Sequence, residues 1–381
     1  MEFRDLKRQY QFCKHDIDQK IYEVIEQADF IQGKQVSELE GQLAGYAETK
    51  YCVTCANGTD ALQLALMTWD IGEGDAVFVP DFTFFSSGEV VSAVNAVPIF
   101  VDIESDTYNM DCNSLEFMIQ KVVREGKLQP KAIVAVDLFG QPADYVKIKK
   151  IAEKYHMYLL EDSAQGFGGR IGEKKACSFG DISTTSFFPA KPLGCYGDGG
   201  AIFTNNDDWA KLIKSYSVHG KGSSKYDNVR IGMNSRLDTL QAAILLAKMP
   251  VFKKRELEWM QDIAAEYTLQ LKNAVITPYV KEGFFSSWAQ YTIQLPNKAV
   301  RDGLQVYLKE QGIPSMVYYQ VPMHKQSAFT GIAYDDCDYP VAKKLSECVL
   351  SLPFHPYMSE GEIALVADTI KLYIAGIENG A

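Results

Sequence analysis

The sequence predicts an α/β fold in which a mostly parallel central sheet is followed by a smaller C-terminal α+β domain. Short apolar runs alternate with helical patterns between residues 51 and 204, as expected for strands joined by crossover helices. After residue 250 the pattern changes to longer charged helical segments. The 381 residues also exceed the usual domain length of roughly 100–200 residues. We therefore expect a large domain over 1–250, including N-terminal helices, and a small domain over 251–381.

Each strand of the sheet is predicted from a short apolar run that ends at polar or glycine-rich residues. Strands of a parallel sheet are continuously apolar, because helices cover both faces of the sheet. In open α/β sheets ligands bind beyond the carboxyl ends of the strands, so the residues that follow each run are the candidate site residues. The predicted strands are 51–56, 76–80, 98–101, 132–137, 158–161, 183–188 and 200–204.

Helices are predicted where apolar residues recur at intervals of three and four positions, as they do from Ile17 to Ile25. The helices expected in the large domain are 17–26, 36–47, 60–68, 86–94, 114–123, 146–154 and 236–249. In the small domain we expect helices at 252–272, 298–311 and 343–349, and a strand at 288–295. The boundary between the domains is placed at the Met249–Pro250 pair.

The composition excludes several classes of protein. A net charge of −11 argues against a nucleic-acid partner, because phosphate contacts need clustered Lys and Arg. The sequence has neither the long apolar run of a membrane span nor an N-terminal secretory signal, so we expect a cytoplasmic protein with no membrane partner. Among the eight cysteines only Cys52 and Cys55 form a CxxC pair, and no second pair completes a zinc site. We expect buried structural thiols and no metal.

Lys191 lies in the run SFFPAKPLGCYGDGG, which covers residues 186–200. A turn this rich in glycine and proline suits a backbone that passes close to a bound ligand. A partly desolvated lysine can form a Schiff base with an aldehyde. The alternative for a lysine considered alone is a surface residue in a glycine-rich turn.

Two further strand ends carry groups that suit a phosphorylated aromatic cofactor. Asn57-Gly58-Thr59 precedes a predicted helix, whose free N–H groups suit a phosphate. Phe84 and Phe85 follow the strand at 76–80, where an aromatic ring could stack on a planar ligand. The alternatives are plain helix capping for the first group and core filling for the second.

Asp162 follows the strand at 158–161, and a carboxylate at a buried strand end is costly unless it is paired. A protonated ring nitrogen would be such a partner, whereas a helix cap or a structural salt bridge is the alternative. Ser186, five residues before Lys191, can add a hydroxyl to the phosphate site. Together, a phosphate site, a stacking aromatic, an anion and a Schiff-base lysine predict pyridoxal 5′-phosphate as the cofactor.

Over essentially its whole length the sequence resembles the sugar-nucleotide aminotransferases of the DegT/DnrJ/EryC1/StrS family. This resemblance implies the aspartate aminotransferase fold (fold type I), with helices on both faces of the sheet. The matching segments are FIQG (30–33), NGTDAL (57–62), IGEGD (71–75), PDFTF (80–84), EDSAQ (161–165), the run at 186–200, GMNSRLDTLQAA (232–243) and VPMH (321–324).

The resemblance also implies a role for each residue that contacts the cofactor ring. Lys191 would be the Schiff-base lysine, and its presence implies transamination. Asp162 would pair with the ring nitrogen, and Gln165 would bond the ring hydroxyl. Phe84 would stack on the ring, with Phe85 as the alternative.

At the phosphate, the resemblance assigns Gly58, Thr59 and Ser186. Asn234 would reach the phosphate bound by a neighbouring subunit. The resemblance therefore implies a homodimer with shared active sites.

The substrates implied by the resemblance are L-glutamate and a nucleotide-linked ketosugar. The sequence looks most like members that act at C3 of UDP-2-acetamido-2-deoxy-3-keto-glucuronate, in cell-surface polysaccharide biosynthesis. Arg236 and Arg230 would hold the carboxylate of such a substrate, since arginine binds carboxylates in a bidentate manner. His324 would contact the sugar or the diphosphate, or else be a satisfied structural histidine.

Three alternatives stay open at this point. Within the family, the enzyme would instead aminate C4 of a UDP- or dTDP-4-keto-6-deoxy sugar. Outside it, the chain would be a non-catalytic regulatory or binding protein, because some family members were first described as regulators. The third alternative is a desulfurase or an aldolase of the same fold type. A desulfurase would need a catalytic cysteine, for which Cys195 is the candidate, but the Gly-rich turn around Cys195 favours a structural role.

Overall fold

The computed structural model describes residues 1–224, 226–332 and 334–380. Within these ranges the strands, in chain order, are β1 (Tyr51–Cys55), β2 (Asp75–Pro80), β3 (Val97–Val101), β4 (Gln129–Val136), β5 (Tyr158–Asp162), β6 (Arg170–Ile171), β7 (Lys174–Lys175), β8 (Ile182–Ser186), β9 (Gly200–Thr204), β10 (Phe284–Phe285), β11 (Tyr291–Gln294) and β12 (Val349–Leu352). The helices are α1 (Leu6–Gln27), α2 (Lys34–Ala47), α3 (Gly58–Thr68), α4 (Ser86–Ala93), α5 (Cys112–Glu125), α6 (Tyr145–Lys154), α7 (Asp207–Tyr216), α8 (Thr239–Val251), α9 (Leu257–Leu271), α10 (Lys298–Glu310), α11 (Pro340–Cys348) and α12 (Glu360–Gly380).

The seven apolar runs predicted as strands form one sheet in the order β1-β9-β8-β5-β4-β2-β3. The strands from β8 to β3 are parallel to one another, whereas β9 is antiparallel to both of its neighbours, β1 and β8. Six strands therefore run in one direction, and their carboxyl ends share one edge of the sheet. This arrangement confirms the predicted α/β class with a mostly parallel sheet.

Helices cover both faces of the central sheet, as the fold prediction required. Along β2 the side chain of Val79 packs with residues of α3 and α4, and that of Phe78 packs with residues of α5 and α6. Successive side chains of a strand point to opposite faces, so one apolar run supplies two cores. N-cap side chains begin the flanking helices: Asn57 accepts from the backbone N–H of Asp60 at α3, and Asp111 accepts from Ser114 at α5.

The C-terminal part of the chain forms a second, smaller sheet from β11 and β12, which pair antiparallel. Tyr291 of β11 is buried with Leu304 of α10 and Ile370 of α12 in the same apolar cluster. The predicted boundary at residues 249 and 250 lies inside a continuous helical segment, since α8 passes through a π-helical turn (Phe252–Glu256) into α9. The division into two domains stays a prediction.

Some predicted elements differ from the structure. The helix expected at 343–349 corresponds to α11, which ends at Cys348. Val349 already belongs to β12, so the predicted helix extends one residue too far. The strand expected to continue to residue 188 ends at Ser186, because the backbone leaves the ladder there to form the turn that carries Lys191. Helices α7 and α12 were not predicted. In the described part of the chain, no helix is long and apolar enough to cross a membrane.

Candidate active site

The close approach of α3 to β8 forms one side of the candidate site. Cys55 at the end of β1 pairs with Gly200 of β9, and Gly200 pairs with Ser186 at the end of β8. A Cβ atom at Gly58 would lie 2.8 Å from the Cβ atom of Ser186, which is closer than real contacts allow. Glycine is therefore required where the first turn of α3 meets Ser186.

Two helix N-termini meet beside this contact. The hydroxyl of Thr59 in the first turn of α3 lies 2.8 Å from the hydroxyl of Ser86, which begins α4. The first N–H groups of a helix have no intrahelical partner, and the helix dipole makes such an end favourable for an anion. The structure thus brings together Gly58, Thr59 and Ser186, the three residues predicted to bind phosphate.

Asp162, at the end of β5, is buried, and its hydrogen-bond donors are uncharged. The hydroxyl of Ser87 donates to Oδ2 at 2.8 Å, and the backbone N–H of Ala164 donates to Oδ1 at 3.1 Å. Burial raises the pKa of the Asp162 carboxyl, while these hydrogen bonds and the charge of Lys191 act in the opposite direction. A buried carboxylate is stabilised by a cationic partner, and a protonated ring nitrogen fits that need.

Lys191 lies in a tight turn close enough to Asp162 for their charges to interact. Its backbone N–H donates to the carbonyl oxygen of Phe188 at 2.8 Å. Burial lowers the pKa of the Lys191 ammonium, and the negative charge of Asp162 partly opposes that effect. A larger fraction of neutral amine is therefore present at a given pH, which is what a nucleophilic lysine requires.

Gln165 is buried and oriented by two hydrogen bonds. Its Oε1 accepts from the backbone N–H of Phe139 at 2.7 Å, and its Nε2 donates to the hydroxyl of Tyr319 at 3.1 Å. Sequence reasoning did not find Tyr319, because it lies 154 residues from Gln165 and no local pattern marks it. Burial raises the pKa of the Tyr319 hydroxyl, so this group stays protonated.

The two candidate stacking residues lie in different surroundings. The side chain of Phe84 is 54% exposed, and its ring centroid lies 6.4 Å from that of Tyr319. Phe85 instead packs against Phe329, with ring centroids 5.3 Å apart. An exposed aromatic face beside Tyr319 is available to a planar ligand, whereas Phe85 fills the core. The structure favours Phe84 over the alternative.

The predicted substrate residues Arg230 and Arg236 lie in the loop before α8, together with Asn234. Arg236 donates to the side-chain oxygen of Asn234, and the guanidinium of Arg230 donates to Ser215. Both arginines line an open cleft of about 930 Å³, and Lys191 is not among the described residues that line it. Within one chain, the cleft is thus separate from the Lys191 group.

His324 lies in a buried network rather than in an open site. Its Nδ1 is 2.6 Å from Oδ2 of Asp81, its Nε2 is 3.2 Å from Oδ1 of Asp336, and its ring stacks on Tyr339 at 4.4 Å. Burial raises the pKa of Asp81 to about 6, against the effect of the hydrogen bonds from His324. Because both ring nitrogens are engaged, the structure favours the structural interpretation of His324. By anchoring Asp81, it fixes the loop that leads to Phe84.

The comparison with known proteins identifies the family. The profile of the DegT/DnrJ/EryC1/StrS aminotransferase family matches residues 12–371. The chain belongs to this family. It is 44% identical to the UDP-2-acetamido-2-deoxy-3-oxo-D-glucuronate aminotransferase of Pseudomonas aeruginosa, over 96% of this chain and 98% of that protein. It is 37% identical to the UDP-N-acetyl-3-dehydro-alpha-D-glucosamine 3-aminotransferase of Acidithiobacillus ferrooxidans, over 98% and 97%.

Solved structures agree with this membership of the DegT/DnrJ/EryC1/StrS family. A DegT DnrJ EryC1 StrS aminotransferase from Brucella abortus superposes with a TM-score of 0.95 at 45% identity, covering 98% of this chain and 99% of that one. NtdA from Bacillus subtilis, solved with the bound cofactor PMP, superposes with a TM-score of 0.85 at 28% identity, covering 98% and 83%. The predicted fold type and the predicted enzyme class, an aminotransferase dependent on pyridoxal 5′-phosphate, are confirmed.

The residues of this family member fit the cofactor. The contact between Gly58 and Ser186 leaves no room for a Cβ atom, so backbone N–H groups can approach a phosphate there. Asp162 is a buried carboxylate with uncharged donors, and Phe84 offers an exposed ring. These are the groups that a phosphorylated pyridine aldehyde needs around it.

Proposed function

We propose that this aminotransferase moves an amino group from L-glutamate to C3 of a UDP-2-acetamido-3-keto-hexuronate, in the synthesis of a cell-surface polysaccharide. The observation that carries the proposal is the match along nearly the full length of both chains to the P. aeruginosa protein named for that ketosugar. The cleft lined by Arg230 and Arg236 supports it, because an additional substrate carboxylate needs a cationic partner.

The residues of the candidate site divide the work of the reaction. Gly58, Thr59 and Ser186 would hold the phosphate of the cofactor, and Asp162 would keep its ring nitrogen protonated. When bound there, the cofactor would supply an electron sink for the bond broken at the donor carbon. The Lys191 amine, whose pKa burial lowers, would take the proton from the α-carbon of glutamate. In the second half-reaction it returns a proton to C3 of the sugar.

We further propose that the active enzyme is a homodimer with shared sites. In the loop that carries Asn234, the side chains of Val229 and Ile231 are 54% and 91% exposed. Apolar groups exposed to this degree beside a polar cleft are typical of a surface that a partner covers. If a second copy covers this loop, Asn234 of one chain can face the phosphate site of the other.

The proposed sharing predicts complementation between two inactive variants. Lys191→Ala removes the reacting amine, and Asn234→Asp places a carboxylate against the phosphate of the neighbouring site. A mixed dimer then contains one intact site and one site with both changes. Random mixing is expected to restore about one quarter of the wild-type activity, since half of the dimers are mixed. Activity after co-refolding that equals the sum of the two separate variants would mean that Asn234 serves its own chain.

The proposed carboxylate contact predicts a selective effect of Arg236→Gln. Losing a hydrogen bond between charged groups should raise KM by about 10- to 100-fold for a ketosugar that carries a carboxylate. An analogue with a hydroxymethyl group instead should be affected much less. Steady-state kinetics with both ketosugars, with Arg230→Gln as the matched comparison, measures this difference. An equal effect on both substrates would show that Arg236 does not bind the carboxylate.

Absorbance of the bound cofactor tests the reaction and the substrate together. We expect L-glutamate to bleach the visible band and a UDP-3-keto-hexuronate to restore it, with NMR of the product locating the new amine at C3. Restoration only by a 4-keto-6-deoxy sugar would establish the alternative within the family. A band that never responds to glutamate would contradict the proposed donor.

A further inference from the structure

The turn that carries Lys191 is held from outside by two cationic side chains. Nη2 of Arg4 donates to the carbonyl oxygen of Lys191 at 3.1 Å and lies 3.5 Å from that of Pro192. Nζ of the buried Lys248, in α8, donates to the carbonyl oxygen of Gly194. Three of four consecutive carbonyl groups, 191 to 194, therefore face a cation.

On its inner side the same turn is closed by its own backbone. The N–H of Cys195 donates to the carbonyl oxygen of Phe187 at 2.8 Å. A Cβ atom at Gly194 would lie 2.4 Å from the carbonyl oxygen of Pro189, so the backbone at Gly194 is in close contact with the backbone at Pro189. Among the side chains in the described ranges, Arg4 and Lys248 donate hydrogen bonds to the carbonyl oxygens of residues 189–194. These two side chains thus contribute to the position of the turn.

One buried carboxylate balances the two cations. Glu256 accepts from Nε2 of Gln9 at 2.8 Å and from the hydroxyl of Tyr357 at 2.6 Å. Burial lowers the pKa of both Arg4 and Lys248, that of Lys248 to about 8, and the charge of Glu256 opposes this effect. Nη1 of Arg4 is buried and has no hydrogen-bond partner in the described ranges. An unpaired buried donor is destabilising, so it offsets part of the stability that the two hydrogen bonds of Arg4 contribute.

The segment around Arg4 also contacts the C-terminal part of the chain. The carbonyl oxygen of Phe3 accepts from the N–H of Phe354 at 3.1 Å, and the ring of Phe3 meets that of Tyr318 edge-on at 6.2 Å. Tyr318 precedes Tyr319, the residue that orients Gln165. The first residues of the chain therefore join the Lys191 turn to the segment that carries Tyr319.

We propose that Arg4 is a positioning residue for Lys191. By donating to the carbonyl oxygens of Lys191 and Pro192, its guanidinium fixes the turn from which the Lys191 amine reaches the reacting carbon. The catalytic part of this inference rests on the proposed function, whereas the positioning of the turn does not. A lysine that must exchange one partner for another during the reaction needs a backbone that stays in place, because small displacements of a reacting group cost rate.

The test compares Arg4→Gln and Arg4→Lys with Arg8→Gln as the control. Arg8 also binds the C-terminal part of the chain, through Glu362 and the carbonyl oxygen of Tyr357, but its partners do not include the Lys191 turn. In cofactor-free protein, amide exchange over residues 187–196 is expected to rise about tenfold or more in Arg4→Gln. The pH dependence of Lys191 labelling by an amine reagent, read by mass spectrometry, should shift with it. Arg4→Lys should restore part of both signals, and Arg8→Gln should change neither.

In the loaded enzyme, Arg4→Gln should lower kcat about 10- to 100-fold with KM for the amino donor changed less than about twofold. If Arg4→Gln lowers the melting temperature but leaves exchange at 187–196 and Lys191 labelling unchanged, Arg4 only stabilises the fold and the proposal is wrong. If Arg4→Gln does not fold, the same measurements on Arg4→Lys distinguish positioning of the turn from stabilisation of the fold. Changed exchange together with a wild-type enzyme that transfers no amino group would support the positioning and overturn the proposed function.

Discussion

Lys191→Ala is expected to abolish amino-group transfer while the protein still folds and binds its cofactor. The amine that accepts and returns the proton is lost, and positioned general bases contribute about 100- to 10,000-fold to a rate. The phosphate and ring contacts proposed for Gly58, Thr59 and Asp162 remain, so the cofactor should stay bound after dialysis. Single-turnover kinetics with L-glutamate, followed by absorbance, measures the loss.

Lys191→Arg is the appropriate control for that experiment. It keeps the positive charge beside Asp162 but offers no amine of accessible pKa, because arginine stays protonated in proteins. We expect it to be as inactive as the alanine variant. Normal turnover by Lys191→Ala would mean that another group moves the proton, and the proposed mechanism would be wrong.

Asp162→Asn is expected to have opposite effects on activity and on stability. Losing the anion proposed to hold the ring nitrogen protonated should lower kcat by about 100- to 1,000-fold, as for other lost electrostatic stabilisers. The cofactor-free protein should become more stable at neutral pH. Burial raises the folded-state pKa of Asp162 above its unfolded value, so the ionised carboxylate destabilises the folded protein at pH values above that pKa. Asparagine carries no such penalty.

The sign of this stability effect can be checked by pH. The advantage of Asp162→Asn should shrink as the pH falls through the folded-state pKa, since the wild-type carboxyl then becomes neutral as well. Melting temperatures of both cofactor-free proteins between neutral and acidic pH measure this. Ser87→Ala, which removes the hydroxyl that donates to Asp162, is a milder control for lost packing and hydrogen bonding. An asparagine variant less stable than wild type at every pH would contradict the argument.

The central sheet could be predicted from sequence because its signals are local. The run at 200–204 was predicted with the bounds that the structure has, since a strand buried on both faces is a continuous apolar run. Lys191 and Asp162 became candidates because ligands bind at the carboxyl ends of such strands. Helix α7 also had a local signal, the cap formed by Asn206, but this was overlooked.

Other parts of the site depend on contacts that no local pattern encodes. Arg4 meets the carbonyl oxygen of Lys191 across 187 residues of sequence, and Asp81 meets His324 across 243. The VPMH segment (321–324) looks the same in sequence whether its histidine faces a ligand or a buried carboxylate. Tyr319 was missed for the same reason. Only the assembled fold distinguishes these cases.

The position of β9 makes the proposed phosphate site depend on the last strand of the central sheet. β9 is the last strand of the central sheet in the sequence, yet it lies between β1 and β8. Until it enters, nothing in the sheet sets the distance between the strand that leads to Gly58 and the strand that ends at Ser186. Pairing strands so distant in sequence is slow, because the chain between them must first be closed into a loop. A chain in which β9 has not yet paired with β1 and β8 therefore lacks the proposed phosphate site, and the visible absorbance of the bound cofactor reports that this strand has been inserted.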